Sequence, residues 1–522
     1  MNYMDDRSAE WIHLLLTGKD NSIVIFGHPN PPILYKLTKT AKEVYLISSE
    51  NGDYHNDNVE TINLQPENIF TIADQTVQMA IIIKELPASD YVFKELKRVL
   101  TPGGRLAVFL NGRGLEIFRK ETRLRRKLAG FGFSDVEMYG IVPGIHDPRW
   151  IVPIDNGRDT ALALELYQPS LSTAKTKKFI AKALGCLGLS RFLTRDTILL
   201  AKHSDTESKD LKQIFKEVLG RKDVRLALFT GTPGYHRKVA IQAWGKNGEI
   251  LAYGKLAENE QTYKLLENEV GTLNRLSSLC LTKGVVPEVL FWGDIGTGNL
   301  LIQTTCKKSY SRTLHKLTQL HVDFLAELFS KTSRKQMFGQ SHCFLELKKR
   351  IEKLAGNLNN AWTERLIKGL RYIGDGLAKT ELPLGLCHKD FVPWNTFYNG
   401  KRLFVFDWEY AREESIPFWD IFHFVVQHNI LVRRKKPLVI LNILTGGDKS
   451  LLNLMTKYAN VLNLNPELNL HLLLFYLSDI SCLYLDKLNK QITIEDKEKA
   501  CLNTWGQMID LILNKPESLC ES

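Results

Sequence analysis

Residues 388–395 read His388-Lys389-Asp390-Phe391-Val392-Pro393-Trp394-Asn395, and Asp407-Trp408-Glu409 follows a short aromatic-rich stretch. One histidine, two aspartates and an asparagine in this order are what phosphoryl transfer from ATP requires. The first Asp serves the acceptor hydroxyl; the Asn and the second Asp serve magnesium. Asn399-Gly400 lies between them and favours a two-residue turn, since both central positions of a type I′ turn need positive φ. Folding about that turn predicts Phe404 opposite Asn395 and Asp407 just beyond, so the two magnesium ligands converge at the open end of one hairpin. A lone H-x-D-x-x-x-x-N match arises by chance in long chains; the hairpin and the second acid set this one apart. His388 reads as a packing and hydrogen-bonding support of the loop rather than a proton carrier.

The run 388–395 and the following Asp407-Trp408-Glu409 resemble the aminoglycoside phosphotransferase and choline kinase-like family, whose fold is related to eukaryotic protein kinases. The family usually has Gly where this chain has Lys389. The resemblance implies Asp390 as catalytic base or hydroxyl-orienting group, with Asn395 and Asp407 holding magnesium against the phosphates of ATP. Most of the barrier lowering would then come from positioning and charge neutralisation. It also implies a bilobal α+β domain over 213–522, with a small lobe at 213–306 and a large lobe at 307–522.

A small sheet lobe is legible upstream. Residues 224–229 and 239–244 read as paired strands around Thr230-Gly231-Thr232-Pro233-Gly234-Tyr235-His236-Arg237-Lys238. Its two glycines would let backbone approach phosphates, or the loop is an ordinary hairpin; it lacks the G-K-[ST] ending of a P-loop. Asn247-Gly248 predicts another turn, and 250–257 a third strand carrying Lys255. That lysine is either solvated on the outer face or a phosphate-binding cation. The next helix, 261–279, carries Glu267 and Glu269, and by the family pattern Glu269 is the better match for an acid pairing with Lys255. Residues 286–290 and 300–304 read as two further strands, the second leading into the connection that usually holds the adenine edge.

Apolar residues at three-and-four spacing predict helices at 314–329, 344–358 and 362–377. Segment 468–485 is more apolar, but Asn469, His471, Ser478 and Asp479 interrupt it, so it reads as a buried helix rather than a membrane span. Pro417-Phe418-Trp419-Asp420 opens another helix, with Asp420 either as its N-terminal cap or as a supporting acid. The short distance from Glu409 to Asp420, and the lack of an Ala-Pro-Glu run, leave little room for a protein-kinase activation segment. A small-molecule or glycan-precursor acceptor is favoured over a protein.

The first part of the chain alternates strands and helices: 22–26, 44–48, 77–86, a helix at 91–100 and a strand at 105–110. Such alternation predicts a Rossmann-like, doubly wound, mostly parallel sheet. Residues 93–106, a helix followed by Thr101-Pro102-Gly103-Gly104 and a strand, loosely resemble class I S-adenosylmethionine (SAM)-dependent methyltransferases; the likeness covers about 15–203, with 196–202 as closing strand. The departure falls at the cofactor loop, where only Gly27 remains of the family's glycines and Pro29, Pro31 and Pro32 crowd in. Glu50 stands where an acid would grip the ribose, although a surface Glu after a strand is commonplace. A degenerate domain that positions a substrate or partner is the preferred reading over SAM binding.

The 522-residue chain is thus read as a two-domain α/β protein: 1–203 Rossmann-like, 204–212 a polar linker, 213–522 kinase-like. Its net charge of +11 suits acidic ligands such as nucleotides. The basic runs 119–127 and 175–178 read as solvated helix faces, with membrane-surface or anionic-glycan contact as the alternative. Neither aromatic-interleaved basic patterning nor zinc spacing points to nucleic acid. Eight scattered cysteines with no C-x-x-C pair, and a charged amino terminus, predict reduced thiols and a cytoplasmic protein without a transmembrane segment. The rival function classes are a bifunctional methyltransferase-kinase and a catalytically inactive kinase-like scaffold. The intact Lys255, Asp390, Asn395 and Asp407 set argues against the scaffold, and the proline-filled loop against methylation.

Overall fold

Ile23, Val24, Ile25 and Phe26 are all buried, as an inner strand covered on both faces requires. The computed structural model describes residues 10–14, 21–48, 59–63, 71–83, 90–164, 172–203, 210–231, 237–308, 311–356, 360–490 and 496–514. The chain divides into two compact units, Met1–Lys264 with Val289–Thr305, and Leu265–Glu288 with Cys306–Ser522.

Strands of the first unit, in chain order, are β1 (Asn21–Phe26), β2 (Ala41–Ser48), β3 (Val59–Asn63), β4 (Val77–Ile82), β5 (Leu100–Asn111), β6 (Phe133–Val142), β7 (Trp150–Pro153), β8 (Asp196–His203), β9 (Arg225–Phe229), β10 (Val239–Trp244) and β11 (Ile250–Ala257). After β12 (Gly284–Val285), which belongs to the second unit, come β13 (Val289–Asp294) and β14 (Asn299–Thr304). They form one 13-stranded sheet in the order β13-β14-β11-β10-β9-β7-β6-β8-β5-β4-β1-β2-β3. The segment β3-β2-β1-β4-β5 is parallel, the doubly wound part, and β8, β6 and β7 continue it antiparallel.

Strands β3, β6 and β7 were not anticipated. Pairing of β7 with β9 joins the parallel sheet to the β9–β11 meander, with Trp150 opposite Phe229 and Ile151 opposite Leu228. A sheet edge leaves a row of backbone donors and acceptors open, and each of these two strands closes the other's. Side chains reinforce the seam: Thr230 Oγ1 donates to the Pro148 carbonyl at 2.6 Å and Trp244 Nε1 to Asp159 at 3.2 Å. One continuous core runs beneath both parts, from Ile23 and Ile25 through Ile198 and Leu200 to Leu228, Ile241 and Ile302.

Of residues 204–212, read as a linker, 204–209 lie outside the described residues, while Asp210, Leu211 and Lys212 are buried. Asp210 caps the helix Leu211–Leu219 and pairs with buried Arg105 of β5. Thr101-Pro102-Gly103-Gly104, expected as a turn between helix and strand, lies inside the strand. It bulges within β5, because Val77 pairs with Leu100 but Met79 already pairs with Arg105. The prolines after β1 start a helix: Asn30 Oδ1 accepts from the Ile33 N–H at 3.0 Å, and Pro31 occupies the first turn of Pro31–Thr40, where no amide donor is needed. Glu50 lies outside the described residues, as do 232–236 of the proposed phosphate loop.

The second unit is helical around two three-stranded sheets. One contains β15 (Arg334–Met337), β16 (Glu381–Cys387) and β19 (Arg412–Ser415); the other contains β12, β17 (Thr396–Tyr398) and β18 (Leu403–Val405). The helical stretch Pro466–Asn489 is long and apolar enough to cross a membrane, yet most of it is buried inside this unit. Asp479 at its middle holds two cations, as a core helix can and a lipid-facing one does not. The seven cysteines among the described residues are all thiols.

Candidate active site

β16 is apolar after its first residue and buried between two partners, so it delivers His388 to a fixed point at its end. His388 is fully buried. Its Nδ1 accepts from the Asp390 N–H at 3.2 Å, so Nε2 carries the proton and donates to the Phe406 carbonyl at 2.9 Å. The imidazole thereby ties the backbone of Asp390 to the residue preceding Asp407. That is the supporting role expected of it.

Pro393–Asn395 forms one 3-10 turn, closed by the Asn395 N–H on the Val392 carbonyl at 3.0 Å. This turn aims the Asn395 amide back at Asp390: Nδ2 donates to the Asp390 carbonyl at 3.0 Å and to its carboxylate Oδ2 at 2.8 Å. Both amide protons are thus directed at Asp390, and Oδ1 is the atom of Asn395 that could ligate a cation. The other carboxylate oxygen, Oδ1, lies 3.3 Å from Nε2 of His423, whose Nδ1 lies 3.3 Å from the Tyr476 hydroxyl. Asp390 is held at both oxygens while its side chain stays 32% exposed, reachable by an acceptor.

The hairpin after Asn395 forms, but in a different register from the two-residue expectation. Thr396 pairs with Val405 and Tyr398 with Leu403, leaving the loop 399–402. Asn399 Oδ1 accepts from the N–H groups of Lys401 and Arg402 at 3.0 and 2.9 Å, an Asx turn that spends two more residues than a type I′ turn would. Phe406, not Phe404, therefore faces Asn395, with its N–H on the Asn395 carbonyl at 3.1 Å. The shift brings Asp407 to the residue next after that pair.

Lys389, Asp407 and Phe418 all adopt left-handed backbone, at φ of 67°, 73° and 66°. A side chain there costs about 1–2 kcal/mol that glycine would not incur, so three such residues in one loop cluster need strong local anchors. Asp420 is one. It sits in the second position of the helix Trp419–Leu431, not at its cap, which is Phe418. Its carboxylate accepts from the N–H groups of His388 and Lys389 at 2.8 and 2.9 Å. Burial lifts the Asp420 carboxyl above its ordinary range, although those donors and the His388 ring oppose the shift. Asp420→Ala leaves two N–H groups without an acceptor in a dry site and is expected to cost about 2–4 kcal/mol. The drop is measured as a lower urea midpoint with slower turnover, and an unchanged midpoint would remove Asp420 from the loop's support.

A second anchor was also missed. Lys389 Nζ lies 2.5 Å from Asp479 Oδ2 and over the Trp419 ring at 4.1 Å. The same carboxylate pairs with Arg350 and accepts from Trp419 Nε1 at 3.0 Å.

Glu269 is buried and Glu267 exposed on the helix Glu260–Ser278. Carboxylate oxygens of Glu269, Asp407 and Glu409 lie within 4.8 Å of one another. Asn268 fastens this helix to the Asp407 loop, donating to the carbonyls of Glu409 and Ala411 at 2.9 and 3.1 Å. An all-oxygen donor set this tight fits a hard divalent cation such as magnesium. Glu409 had been noted in sequence without a role; an acid two residues past Asp407 on a single 3-10 turn, Trp408–Tyr410, was the available signal. The second unit thus brings together Asp390, Asn395, Asp407 and Glu269. Lys255 stands in the first unit at mid-strand in β11, opposite Ala240 and Leu301, half-buried on the face it shares with Leu251 and Tyr253.

No family model and no curated protein matches the chain. Among solved structures, choline kinase LicA from Streptococcus pneumoniae is similar at 17% identity and a TM-score of 0.40, over 57% of this chain and 99% of that one. The ADP-bound aminoglycoside phosphotransferase APH(2'')-Ib is similar at 13% identity and a TM-score of 0.36, over 57% and 97%. A SAM-dependent methyltransferase from Aquifex aeolicus is similar at 21% identity and a TM-score of 0.22, over 27% of this chain and 89% of that one.

Proposed function

We propose that this chain is an ATP- and magnesium-dependent phosphotransferase acting on a hydroxyl of a small molecule or glycan precursor. The observation that carries the reading is the double hold on the Asp390 carboxylate, by Asn395 and His423, with His388 linking its backbone to the strand end that presents Asp407. Bound magnesium-ATP supplies the transferable phosphoryl group and the neutralisation of its charge. Asp407 and Asn395 would hold the metal, and Glu409 joins them as a donor of the same kind. Asp390 orients the acceptor hydroxyl and takes its proton as the oxygen bonds to the γ-phosphorus and the bond from that phosphorus to the departing ADP breaks. Asn395 and His423 fix the carboxylate so that a lone pair faces the acceptor. Lys255 is proposed as the phosphate-binding cation, and Glu269 as the acid associated with it.

The test is ADP release over a panel of hydroxyl acceptors, with product identified by mass spectrometry. Turnover is expected to need magnesium, to stop with chelator, and to fall at least about 100-fold in Asp407→Asn. Absence of nucleotide binding by calorimetry, together with no turnover on any acceptor, would return the chain to the scaffold class.

A further inference from the structure

The helix Ser172–Cys186 packs through a glycine and turns large apolar side chains to solvent. Gly185 makes its close contact, lying so near Gly157 of the helix Gly157–Ala163 that a Cβ on Gly157 would meet the Gly185 carbonyl at 1.7 Å. Its large apolar residues face outward, with Phe179 74%, Ile180 51% and Leu187, just past its end, 71% exposed. The Leu189 N–H returns to the Leu184 carbonyl at 2.7 Å, and the chain then meets the start of the helix Leu115–Gly130. There Gly114 donates to the Arg191 carbonyl at 3.2 Å, and Arg191 lies 5.3 Å over the ring of Phe118. Leu115 is 70% and Phe118 48% exposed, so both helices present large apolar side chains to solvent.

The charge around this surface has one dominant sign. Residues 172–195 contain four lysines and two arginines and no Asp or Glu. On the neighbouring helix Leu115, Arg119, Arg123 and Arg126 follow at three- and four-residue spacing, so three exposed guanidinium groups share the face of an exposed leucine. Of the acids on that helix, Glu121 is buried under Arg125 and Arg191, and Glu116 is paired with Lys120. Apolar side chains this exposed mark an interaction surface. Exposed aromatic and aliphatic side chains, with the exposed guanidinium groups of Arg119, Arg123 and Arg126, match the headgroup region of an anionic bilayer.

We propose that this face is a docking surface for an anionic lipid membrane. Phe179, Ile180 and Leu187 enter the boundary between headgroups and acyl chains, and Arg119, Arg123 and Arg126 meet the lipid phosphates. The test is flotation of the full chain with phosphatidylcholine vesicles, with and without about 30% phosphatidylserine. Binding is expected only with the anionic lipid and is expected to be lost in about 0.5 M NaCl. Phe179→Glu with Leu187→Glu should lower the partition coefficient about 100-fold, and Arg119→Glu with Arg123→Glu at least about 10-fold, at unchanged melting temperature. A readout that needs no disruptive variant comes from Cys186, exposed on the same helix. A polarity-sensitive dye there, in a Cys280→Ser background, should shift to the blue on anionic vesicles. No binding to anionic vesicles, binding indifferent to both variant pairs, an unmoved dye spectrum, or a dimer in light scattering that Phe179→Glu with Leu187→Glu dissolves would each overturn the proposal.

Discussion

Asp390→Asn is expected to bind nucleotide as the parent chain does and to transfer phosphate about 10³-fold more slowly. The amide has the shape of the carboxylate but cannot take a proton from an acceptor hydroxyl. Its surroundings can tolerate it. The amide oxygen still accepts from Asn395 Nδ2, and the amide nitrogen can donate to His423 Nε2 once that ring donates to Tyr476 from Nδ1 instead. Because imidazole adjusts by changing tautomer, the loop should keep its form and the loss should fall on kcat rather than on nucleotide affinity. Single-turnover kinetics beside calorimetry separates the two. A rate within about tenfold of the parent would strip Asp390 of its role.

Asp479→Asn is the change expected to cost most stability, about 3–5 kcal/mol in urea unfolding. The Lys389 ammonium, the Arg350 guanidinium and the Trp419 indole all converge on that one buried carboxylate. Removing its charge leaves the largely buried Lys389 ammonium without that counter-charge and Arg350 with the more distant Glu346, 3.7 Å away. The effect should reach the reaction, since Lys389 immediately precedes Asp390 and is held in left-handed backbone by the ammonium's anchor. Burial alone would raise the Asp479 carboxyl, but Lys389 and then Arg350 more than reverse this and hold it below its ordinary range. A group with a depressed folded-state pKa stabilises fully above its unfolded value, near 3.9, and loses that contribution as pH falls towards the folded value. The gap between the parent chain and Asp479→Asn should therefore be full above about pH 5 and narrow below about pH 4. A midpoint difference under about 0.5 kcal/mol at neutral pH would falsify the anchoring argument.

The chemistry-bearing residues were legible because they are local. Asp390, Asn395 and Asp407 sit within one loop and one hairpin, and spacing alone carries such a motif. Asp420 reads in sequence as a cap or a supporting acid, but its hold on His388, 32 residues away, does not; His423, 33 residues from Asp390, and Asp479, 90 from Lys389, give no local signal of their role. Nothing in the pattern of the helix Asn469–Asn489 says that Asp479 is its one indispensable polar group; only packing against Lys389 and Arg350 does. The hairpin register failed for a related reason. Asn399-Gly400 signals a turn, but whether Asn399 bonds two backbone amides and lengthens the loop is decided after the strands have met. Strands β6 and β7 escaped because β7 spans four residues and takes its meaning from its neighbours in the sheet.

The β7–β9 seam bears on how this chain came to be and whether it can be taken apart. Two modules that merely shared a polypeptide could be separated by cutting the tether. Here a fragment beginning near 211 would lose the pairing of Leu228 and Phe229 with Ile151 and Trp150 and so open that edge of β9, which β10 does not cover. Such a bare rim templates strand addition, so the severed piece would tend to assemble with copies of itself. The amino-terminal part thus serves its neighbour as a cover for that edge, a structural service independent of any chemistry.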